Sequence, residues 1–259
     1  MRIECPGCHG ERQSRALERY GEWRLYECLD CGLQHFWPAK NPGADYYEKS
    51  EMYAARDLMV VDWLAWYHRA GLERLPVRAG RLLDVGCGNG AFVAAAQRAG
   101  FEASGIDFSE KAIQAGRRRF GLERLYATSI EEFRAKERAR PFDVVTAFEV
   151  LEHMDDVDRF LEEVLSLLAP GGYLVVSVPN RDRRPWLLNE GDLPPHHFTR
   201  WDRAALRHHM RRHGLETRSV IVCPTAITLK AFLHYRVRFG AVMRLLGRAQ
   251  EAPAERREA

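Results

Sequence analysis

Two Cys-x-x-Cys pairs near the start of the chain have the spacing of a four-thiolate zinc site. Cys5 pairs with Cys8 and Cys28 with Cys31, and nineteen residues separate the two pairs. Each pair can place two sulfurs on one tetrahedral ion, and four thiolates close its coordination shell, so we expect a structural zinc. A redox dithiol or unrelated thiols are the alternative, but two matched pairs favour the metal.

A glycine-rich turn follows the apolar run LLDV. Gly86, Gly88 and Ala91 satisfy G-x-G-x-x-G/A, a pattern that by itself also fits a dinucleotide. Asp84 stands two residues before the first glycine. Its carboxylate would attract a cofactor that carries an ammonium and a sulfonium, but not an anionic pyrophosphate, so the turn favours S-adenosylmethionine. Asp107, at the end of the next predicted strand, is placed to bind the ribose of either cofactor.

Three histidines could accept a proton at neutral pH. His153 follows the fourth predicted strand of the core, and His196 and His197 lie in a proline-containing loop after the fifth. All three should project from the carboxyl edge of the sheet, where one could act as the catalytic base. Bracing or anchoring of these loops is the alternative role. The histidines of the basic helix that follows are expected on the solvated surface: His208, His209 and His213.

Strands and helices alternate from Arg81 onward, and these elements must position the glycine turn and the three candidate bases. Apolar runs predict strands in RLLDV, EASGIDF, RLYATS, FDVVTAFEV, GYLVVSV and ETRSVIVCP, and amphipathic segments such as AFVAAAQRAG separate several of them. This alternation predicts an α/β fold with a doubly wound, mostly parallel Rossmann-like sheet and helices on both faces. Ligands of such sheets bind beyond the carboxyl ends of the strands.

Patterns along the chain divide it into four segments. Residues 1–40 form the predicted zinc-ribbon module, with a hairpin between the cysteine pairs, and residues 41–79 form a helical lid or linker rich in aromatic residues. Residues 80–223 form the predicted core, with a substrate loop at about 181–200. Residues 224–259 form a basic amphipathic helix and a polar tail. Packing against the protein is favoured for this helix, and peripheral contact with an anionic membrane is the alternative.

The length and the net charge of the chain indicate a folded protein with one core and give no sign of a nucleic-acid partner. A chain of 259 residues that is 46% hydrophobic can bury one sizeable core. The formal net charge of +3 is too small to indicate a nucleic-acid partner, and residues 1–40 contain no basic run that could follow phosphates. The sequence shows no apolar stretch of transmembrane length and no signal peptide at its start, so a cytoplasmic location is expected.

Four segments of the core occur in the order of the motifs of class I S-adenosylmethionine-dependent methyltransferases: DVGCGNGAF, GIDFS, FDVVTAFEVLEHMDD and LLAPGGYLVVSVPN. The chain resembles that superfamily over about residues 80–223. CPGC, CLDCGLQHF and the YY segment are similar to the zinc-knuckle extension on a subset of these enzymes, many of which act on sugars, lipids or other small metabolites. Where the family often has an acidic residue near the adenine, this chain has Thr128, Ser129 and Ile130.

The resemblance implies a site for S-adenosylmethionine and a function. It places these residues around the cofactor: Asp84, Gly86, Cys87, Gly88, Gly90, Asp107, Phe108, Ser129, Ile130, Phe148 and Glu149. The predicted activity is methyl transfer to an oxygen of a small molecule, such as a sugar, a lipid-linked precursor or a secondary metabolite. An RNA methyltransferase whose zinc module binds RNA is one alternative, and a homologue that binds cofactor or a partner without catalysis is the other.

Overall fold

The structure is a computed structural model that describes residues 3–10, 14–43, 46, 64–136, 140–182 and 190–222. The chain divides into two compact units, Met1–Val220 and Ile221–Ala259. The first unit contains all the elements described below. The predicted basic helix and half of the aromatic residues of the predicted lid lie outside the described residues. No helix in the described part of the chain is both long enough and apolar enough to cross a bilayer.

Three antiparallel strands follow the first cysteine pair. They are β1 (Ser14–Tyr20), β2 (Trp23–Cys28) and β3 (Gln34–Trp37). Strands β1 and β2 form the hairpin that the sequence predicts between the cysteine pairs, with Tyr20 opposite Trp23 at the turn. The hairpin carries Cys28 at the end of β2, close to the first pair.

The remaining elements alternate between helix and strand as far as β8, as the sequence predicts. In chain order they are α1 (Trp66–Arg74), β4 (Gly80–Val85), α2 (Ala91–Arg98), β5 (Phe101–Asp107), α3 (Glu110–Phe120), β6 (Leu125–Ala127), α4 (Ile130–Lys136), β7 (Phe142–Phe148), α5 (Val157–Leu165), β8 (Leu168–Ser177), β9 (Thr199–Arg200) and α6 (Arg203–Arg212). Short 3-10 turns lie at Leu151–His153 and Glu190–Asp192.

A five-stranded parallel sheet in the order β6-β5-β4-β7-β8 forms the core, which confirms the predicted Rossmann-like fold. Val85 at the end of β4 pairs with Ile106 of β5 on one side and with Ala147 of β7 on the other. The chain runs outward from β4 through β5 to β6 and then crosses back to β7. The carboxyl ends of β4 and β7 therefore form the switch point at which ligands of such sheets bind.

Each face of the sheet packs against its own apolar cluster. Leu82 points to the side covered by Phe92 and Ile113, while Leu83 points to the side covered by Phe160. This follows from the strand geometry, because successive side chains of a strand point to opposite faces. Apolar side chains therefore cover both faces of the sheet.

The cysteine module packs on the second of these faces. The Pro6 carbonyl accepts a hydrogen bond from the Val157 nitrogen at 2.9 Å, which satisfies a free amide at the start of α5. Arg212 donates to the Cys8 carbonyl at 2.9 Å, and Arg181 donates to the Gly32 carbonyl at 2.6 Å. Strand β9 pairs with β3, so the module sheet has the order β1-β2-β3-β9 and includes residues that follow the predicted substrate loop.

The structure contradicts two predictions. His209 is fully buried, since it faces Gly7 and the ring of Trp201, and burial lowers its pKa to about 4. His213 is also largely covered and lies 2.9 Å from an Asp158 oxygen. The basic helix pattern did not reveal that the cysteine module covers this side of α6. The predicted strand over ETRSVIVCP is also wrong for residues 216–222, which are in no strand.

Candidate functional site

The turn between β4 and α2 needs glycine at two positions. Gly86 and Gly90 have φ angles of +72° and +73°, a region that favours glycine. A Cβ atom on Gly86 would lie 2.6 Å from Cγ2 of Val150, so close packing also excludes a side chain there. Cys87 is buried beside them, and burial raises the pKa of its thiol well above the ordinary value, so the thiol stays neutral. Gly86 is exposed at the switch point, where ligands of such sheets bind.

Asp107 joins the glycine turn to the start of α3. Its Oδ2 accepts a hydrogen bond from the Gly88 nitrogen at 2.8 Å, and its Oδ1 accepts one from the Ser109 nitrogen at 2.8 Å. Both hydrogen bonds come from backbone nitrogens, and a carboxylate has about four acceptor positions in all. Asp107 therefore lies where the sequence predicts, at the carboxyl end of β5, and it also orders the turn.

Asp84 lies beneath the turn, with only 3% of its surface exposed. Its Oδ1 accepts a hydrogen bond from the Thr146 hydroxyl at 2.6 Å. Burial raises the pKa of Asp84 to about 7, opposed by the Thr146 hydrogen bond and assisted by the charge of Asp107. A cation bound at the turn would lower this pKa and favour the ionised carboxylate.

The residues predicted around adenine lie after β5 and β6. Phe108 follows Asp107 directly and is 53% exposed, so its ring can stack on a flat ligand. The Ser129 hydroxyl accepts a hydrogen bond from the Glu132 nitrogen at 3.1 Å and caps α4. Ile130 is buried at the start of α4. Of these three residues, Phe108 is the one whose side chain is exposed for contact with a ligand.

Glu149 follows β7 with a backbone conformation that is unusual for a residue with a side chain. Its φ is +55°. Its nitrogen donates to the Ser177 carbonyl at 3.0 Å, and its Oε1 accepts from the Ser177 hydroxyl at 2.8 Å. Residues held in this region cluster at active sites and ligand clamps. Phe148, one residue earlier, is buried and packs edge-on against Phe92.

The structure brings two of the three predicted histidines into contact. The ring centroids of His153 and His197 are 4.9 Å apart. Nδ1 of His153 lies 2.7 Å from the carbonyl oxygen of His196. Because a carbonyl only accepts, Nδ1 of His153 carries the hydrogen and the lone pair stands on Nε2.

His196 points toward a different neighbour. Its Nε2 lies 3.5 Å from the hydroxyl of Tyr46, which belongs to the predicted lid. Burial lowers the pKa of His196, which favours the neutral ring. The predicted histidines therefore share one region of the structure but form two groups, with His153 and His197 in one and His196 with Tyr46 in the other.

Sequence reasoning missed two carboxylates that flank His197. Oε1 of Glu152 lies 3.9 Å from Nε2 of His197, and Oδ1 of Asp192 lies 3.6 Å from Nδ1 of the same ring. Both acids are buried. Glu152 could have been found, because it directly precedes His153 in the turn that follows β7. Nothing in the local sequence marks Asp192.

Hydrogen bonds fix the loop that carries His197 to the turn after β7. The Phe198 nitrogen donates to the Glu152 carbonyl at 2.7 Å. The Thr199 hydroxyl donates to the Leu151 carbonyl at 3.2 Å and accepts from the Trp201 indole at 2.9 Å. Phe198, Thr199 and Trp201 are all buried. The histidines are therefore held by a braced scaffold.

The four cysteines predicted to bind zinc lie together and are buried. The sulfurs of Cys5 and Cys31 are 3.7 Å apart and those of Cys8 and Cys28 are 3.5 Å apart. Ligands on a tetrahedral zinc with Zn–S bonds of about 2.3 Å are roughly 3.8 Å apart, so this spacing fits. Burial and the charge of Cys5 raise the pKa of Cys8 to about 12. A cation is therefore needed before all four sulfurs can ionise.

Comparison with known proteins relates the chain to methyltransferases. The sequence profile of a methyltransferase domain matches residues 55–220. The chain is 41% identical over 121 residues to the ubiquinone biosynthesis O-methyltransferase of Caulobacter sp. (strain K31), and the match covers 46% of this chain and 48% of that protein. It is 33% identical over 164 residues to the protein of the same name from Marinobacter nauticus, covering 57% and 68%. The chain thus spans about half the length of the first of these relatives.

A solved structure shares the fold. The magnesium protoporphyrin IX methyltransferase from Synechocystis PCC 6803, with bound SAH, superposes with a TM-score of 0.52 at 15% identity. The superposition covers 70% of this chain and 92% of that one. At this identity the similarity concerns the fold alone, and it agrees with the Rossmann-like sheet described above.

Proposed function

The chain belongs to the class I S-adenosylmethionine-dependent methyltransferase family, and on this premise we propose that it methylates an oxygen atom of a small molecule. One observation carries the proposal: the glycine turn after β4 and the histidine turn after β7 follow neighbouring strands at the same edge. The name O-methyltransferase borne by the curated relatives supports oxygen as the acceptor. A sugar, a lipid-linked precursor and a secondary metabolite are the substrate classes we propose.

The residues at the switch point suit S-adenosylmethionine, which supplies a methyl group activated by a sulfonium. In this proposal the glycine turn holds the methionine end, Asp107 holds the ribose, Phe108 covers one face of the adenine and Asp84 supplies negative charge. The remaining members of the proposed cofactor site are Cys87, Ser129, Ile130, Phe148 and Glu149.

Methyl transfer from a sulfonium is an in-line displacement, so the protein must align the acceptor and remove its proton. The acceptor hydroxyl gives its proton to a base, and its oxygen forms a bond to the methyl carbon. Bound S-adenosylmethionine would supply the methyl group, and the electron pair of its carbon–sulfur bond would stay on sulfur as a neutral thioether. The base belongs to the cluster of His153, His196 and His197. We assign His196, because burial lowers its pKa and favours the neutral ring that can accept a proton, and because it lies beside Tyr46 and apart from the group of His153 and His197.

A zinc ion on Cys5, Cys8, Cys28 and Cys31 completes the proposal as a structural element. Four thiolates would close its coordination shell, so it would take no part in methyl transfer. Its position supports this role, since β3 of the cysteine module pairs with β9 immediately after the histidine loop.

The proposal is tested with S-adenosylmethionine labelled in its methyl group. The protein is incubated with this cofactor and with cell extract divided into small-metabolite, lipid, RNA and protein fractions. We expect label in the small-metabolite or lipid fraction, and a methoxy group in the NMR spectrum of the product. Label confined to RNA or protein would contradict the proposal, and cofactor binding without transfer to any fraction would favour the non-catalytic alternative.

A further inference from the structure

Glu152, His153 and His197 form a second group of potential metal ligands, separate from the four cysteines. One ligand atom from each side chain lies within 4.8 Å of the others. Glu152 and His153 are neighbours in the 3-10 turn after β7, and His197 comes from the loop before β9. Two histidines and one carboxylate are a recurrent ligand set for divalent first-row metals, and this set leaves coordination positions open.

The His153 ring is oriented as metal-binding histidines usually are, and the His197 ring has a carboxylate near its Nδ1. Such histidines donate a hydrogen bond from one ring nitrogen to a carbonyl or carboxylate and bind the metal through the other nitrogen. Nδ1 of His153 lies 2.7 Å from the His196 carbonyl, and Nδ1 of His197 lies 3.6 Å from Oδ1 of Asp192. The hydrogen bond leaves the lone pair of His153 on Nε2, and the charge of Asp192 favours the same arrangement in His197.

The distance across the group fits an ion between the side chains. Nε2 of His197 and Oε1 of Glu152 are 3.9 Å apart, which is too long for a hydrogen bond. Two ligands that each lie about 2.0–2.2 Å from one ion are roughly 3–4 Å apart. Glu152 is only 1% exposed, so an ion that its carboxylate binds would be shielded from bulk water.

The group is also braced before any ion binds. The Phe198 nitrogen donates to the Glu152 carbonyl at 2.7 Å, and the Thr199 hydroxyl donates to the Leu151 carbonyl at 3.2 Å. These bonds join the residues that directly follow His197 to the turn that carries Glu152 and His153. A site held in this way loses little conformational freedom when it binds a metal.

We propose that Glu152, His153 and His197 bind a divalent first-row transition metal at the acceptor side of the active site. The imidazole and carboxylate ligands suit Mn²⁺, Fe²⁺, Co²⁺ or Zn²⁺, in contrast to the thiolates of the cysteine site. A metal with open positions binds an acceptor hydroxyl as a Lewis acid and lowers the pKa of that hydroxyl. The role of the metal as a Lewis acid rests on the proposed function. The metal site itself rests only on the geometry of the three ligands.

Cobalt is the probe that separates the two metal sites. Protein saturated with zinc at the cysteine site is titrated with Co²⁺, followed by calorimetry and visible absorption. We expect one equivalent of Co²⁺ to bind with weak visible bands and without the intense thiolate-to-cobalt absorption that entry into the cysteine site would produce. Neither cofactor nor acceptor is present, so the result does not depend on methyl transfer.

Variants of each ligand make the assignment specific. We expect Glu152→Gln and His197→Gln to abolish measurable Co²⁺ binding, and Asp192→Asn to weaken it roughly 10- to 100-fold through His197. Exposed residues provide the matched controls Glu131→Gln and His208→Gln, which should bind Co²⁺ as the wild type does. His197→Gln carries the test if the buried Glu152→Gln variant fails to fold, as judged by its thermal unfolding and S-adenosylmethionine affinity.

Two results would overturn the metal site. One is a zinc-saturated wild-type protein that takes up no Co²⁺, and the other is Co²⁺ binding that survives both Glu152→Gln and His197→Gln. A protein that binds Co²⁺ through these residues but transfers no methyl group would keep the metal site and lose the proposed function. A protein that transfers a methyl group but binds no Co²⁺ would keep the proposed function and lose the metal site.

Discussion

The backbone nitrogen of Phe36 lies 2.9 Å from the carbonyl oxygen of Phe198. Phe36 belongs to β3 of the cysteine module, and Phe198 directly follows His197. In the same pairing His35 lies opposite Thr199. A short antiparallel ladder therefore connects the cysteine module to the end of the loop that carries the histidines.

Loss of one thiolate should weaken both the module and the histidine loop. We expect Cys28→Ser to lose its zinc and to lower the melting temperature by roughly 10 °C, because binding of a structural zinc contributes several kcal/mol to folding. The turnover number should fall more than the affinity for S-adenosylmethionine. Zinc content, calorimetric melting and single-turnover rates measure these effects. Leu29→Ser alters an exposed neighbour that is no ligand and should change none of them, whereas full zinc content in Cys28→Ser would contradict the assignment.

Asp107→Asn should weaken cofactor binding more than it weakens the fold. The amide keeps one acceptor oxygen, but it loses the charge that strengthens hydrogen bonds from ribose hydroxyls. Hydrogen bonds to a charged group are worth about 1.5–3 kcal/mol, so we expect the dissociation constant of S-adenosylmethionine to rise roughly 10- to 100-fold. Isothermal titration calorimetry measures it. Glu102→Gln, an exposed acid on the same strand, is the matched control, and equal affinity in both variants would remove Asp107 from the cofactor site.

The sequence predicted the sheet and the edge of the site because both depend on local patterns. Apolar runs located the strands, and the parallel order placed Asp107 and His153 at one edge. Contacts between distant segments were not predictable in this way. The burial of His209 depends on Gly7, which lies about 200 residues earlier in the chain. The pairing of Glu152 with His197 likewise depends on how one loop folds over another.

His196→Gln tests the assignment of the base. The amide is similar in size but cannot take a proton at neutral pH, so we expect the turnover number to fall roughly 10²- to 10⁴-fold. The affinity for S-adenosylmethionine should stay within about twofold, since the ring faces Tyr46 in the structure. His208→Gln makes the same change at an exposed position. A turnover number equal to that of this control would exclude His196 as the base.

Asp84 should make the cofactor-free protein less stable as the pH rises. The folded protein holds this proton up to about pH 7, whereas an ordinary aspartate loses it near 3.8. The folded state therefore binds more protons between these values, and its stability falls as the pH rises through them and levels off above 7. From pH 5 to 8 this loss is at most roughly 3 kcal/mol.

The variant Asp84→Asn isolates this contribution. Its amide oxygen can still accept the Thr146 hydrogen bond, but it carries no charge at any pH. The difference in free energy of unfolding between the variant and the wild type should therefore grow in favour of the variant as the pH rises from 5 to 8. Urea unfolding at several pH values measures the difference, and a difference that stays constant over this range would contradict the raised pKa.

Gly86→Ala separates backbone strain from collision in the cofactor turn. Gly86 and Gly121 have similar φ angles of +72° and +65°, but only at Gly86 would a Cβ meet another atom, Cγ2 of Val150 at 2.6 Å. Gly121→Ala therefore carries the strain alone, about 1–2 kcal/mol. Gly86→Ala should lose roughly a further 1–3 kcal/mol from the overlap, together with its affinity for S-adenosylmethionine.

A double-mutant cycle identifies the source of that extra loss. If the overlap with Val150 is its cause, Gly86→Ala combined with Val150→Ala should be more stable than the sum of the two single changes predicts, by about the energy of the overlap. Strain in the turn would persist in the double variant, so its S-adenosylmethionine affinity should recover only in part. Additive stabilities would mean that the turn does not pack against Val150 as described, and the close approach of the two strand ends would have to be abandoned.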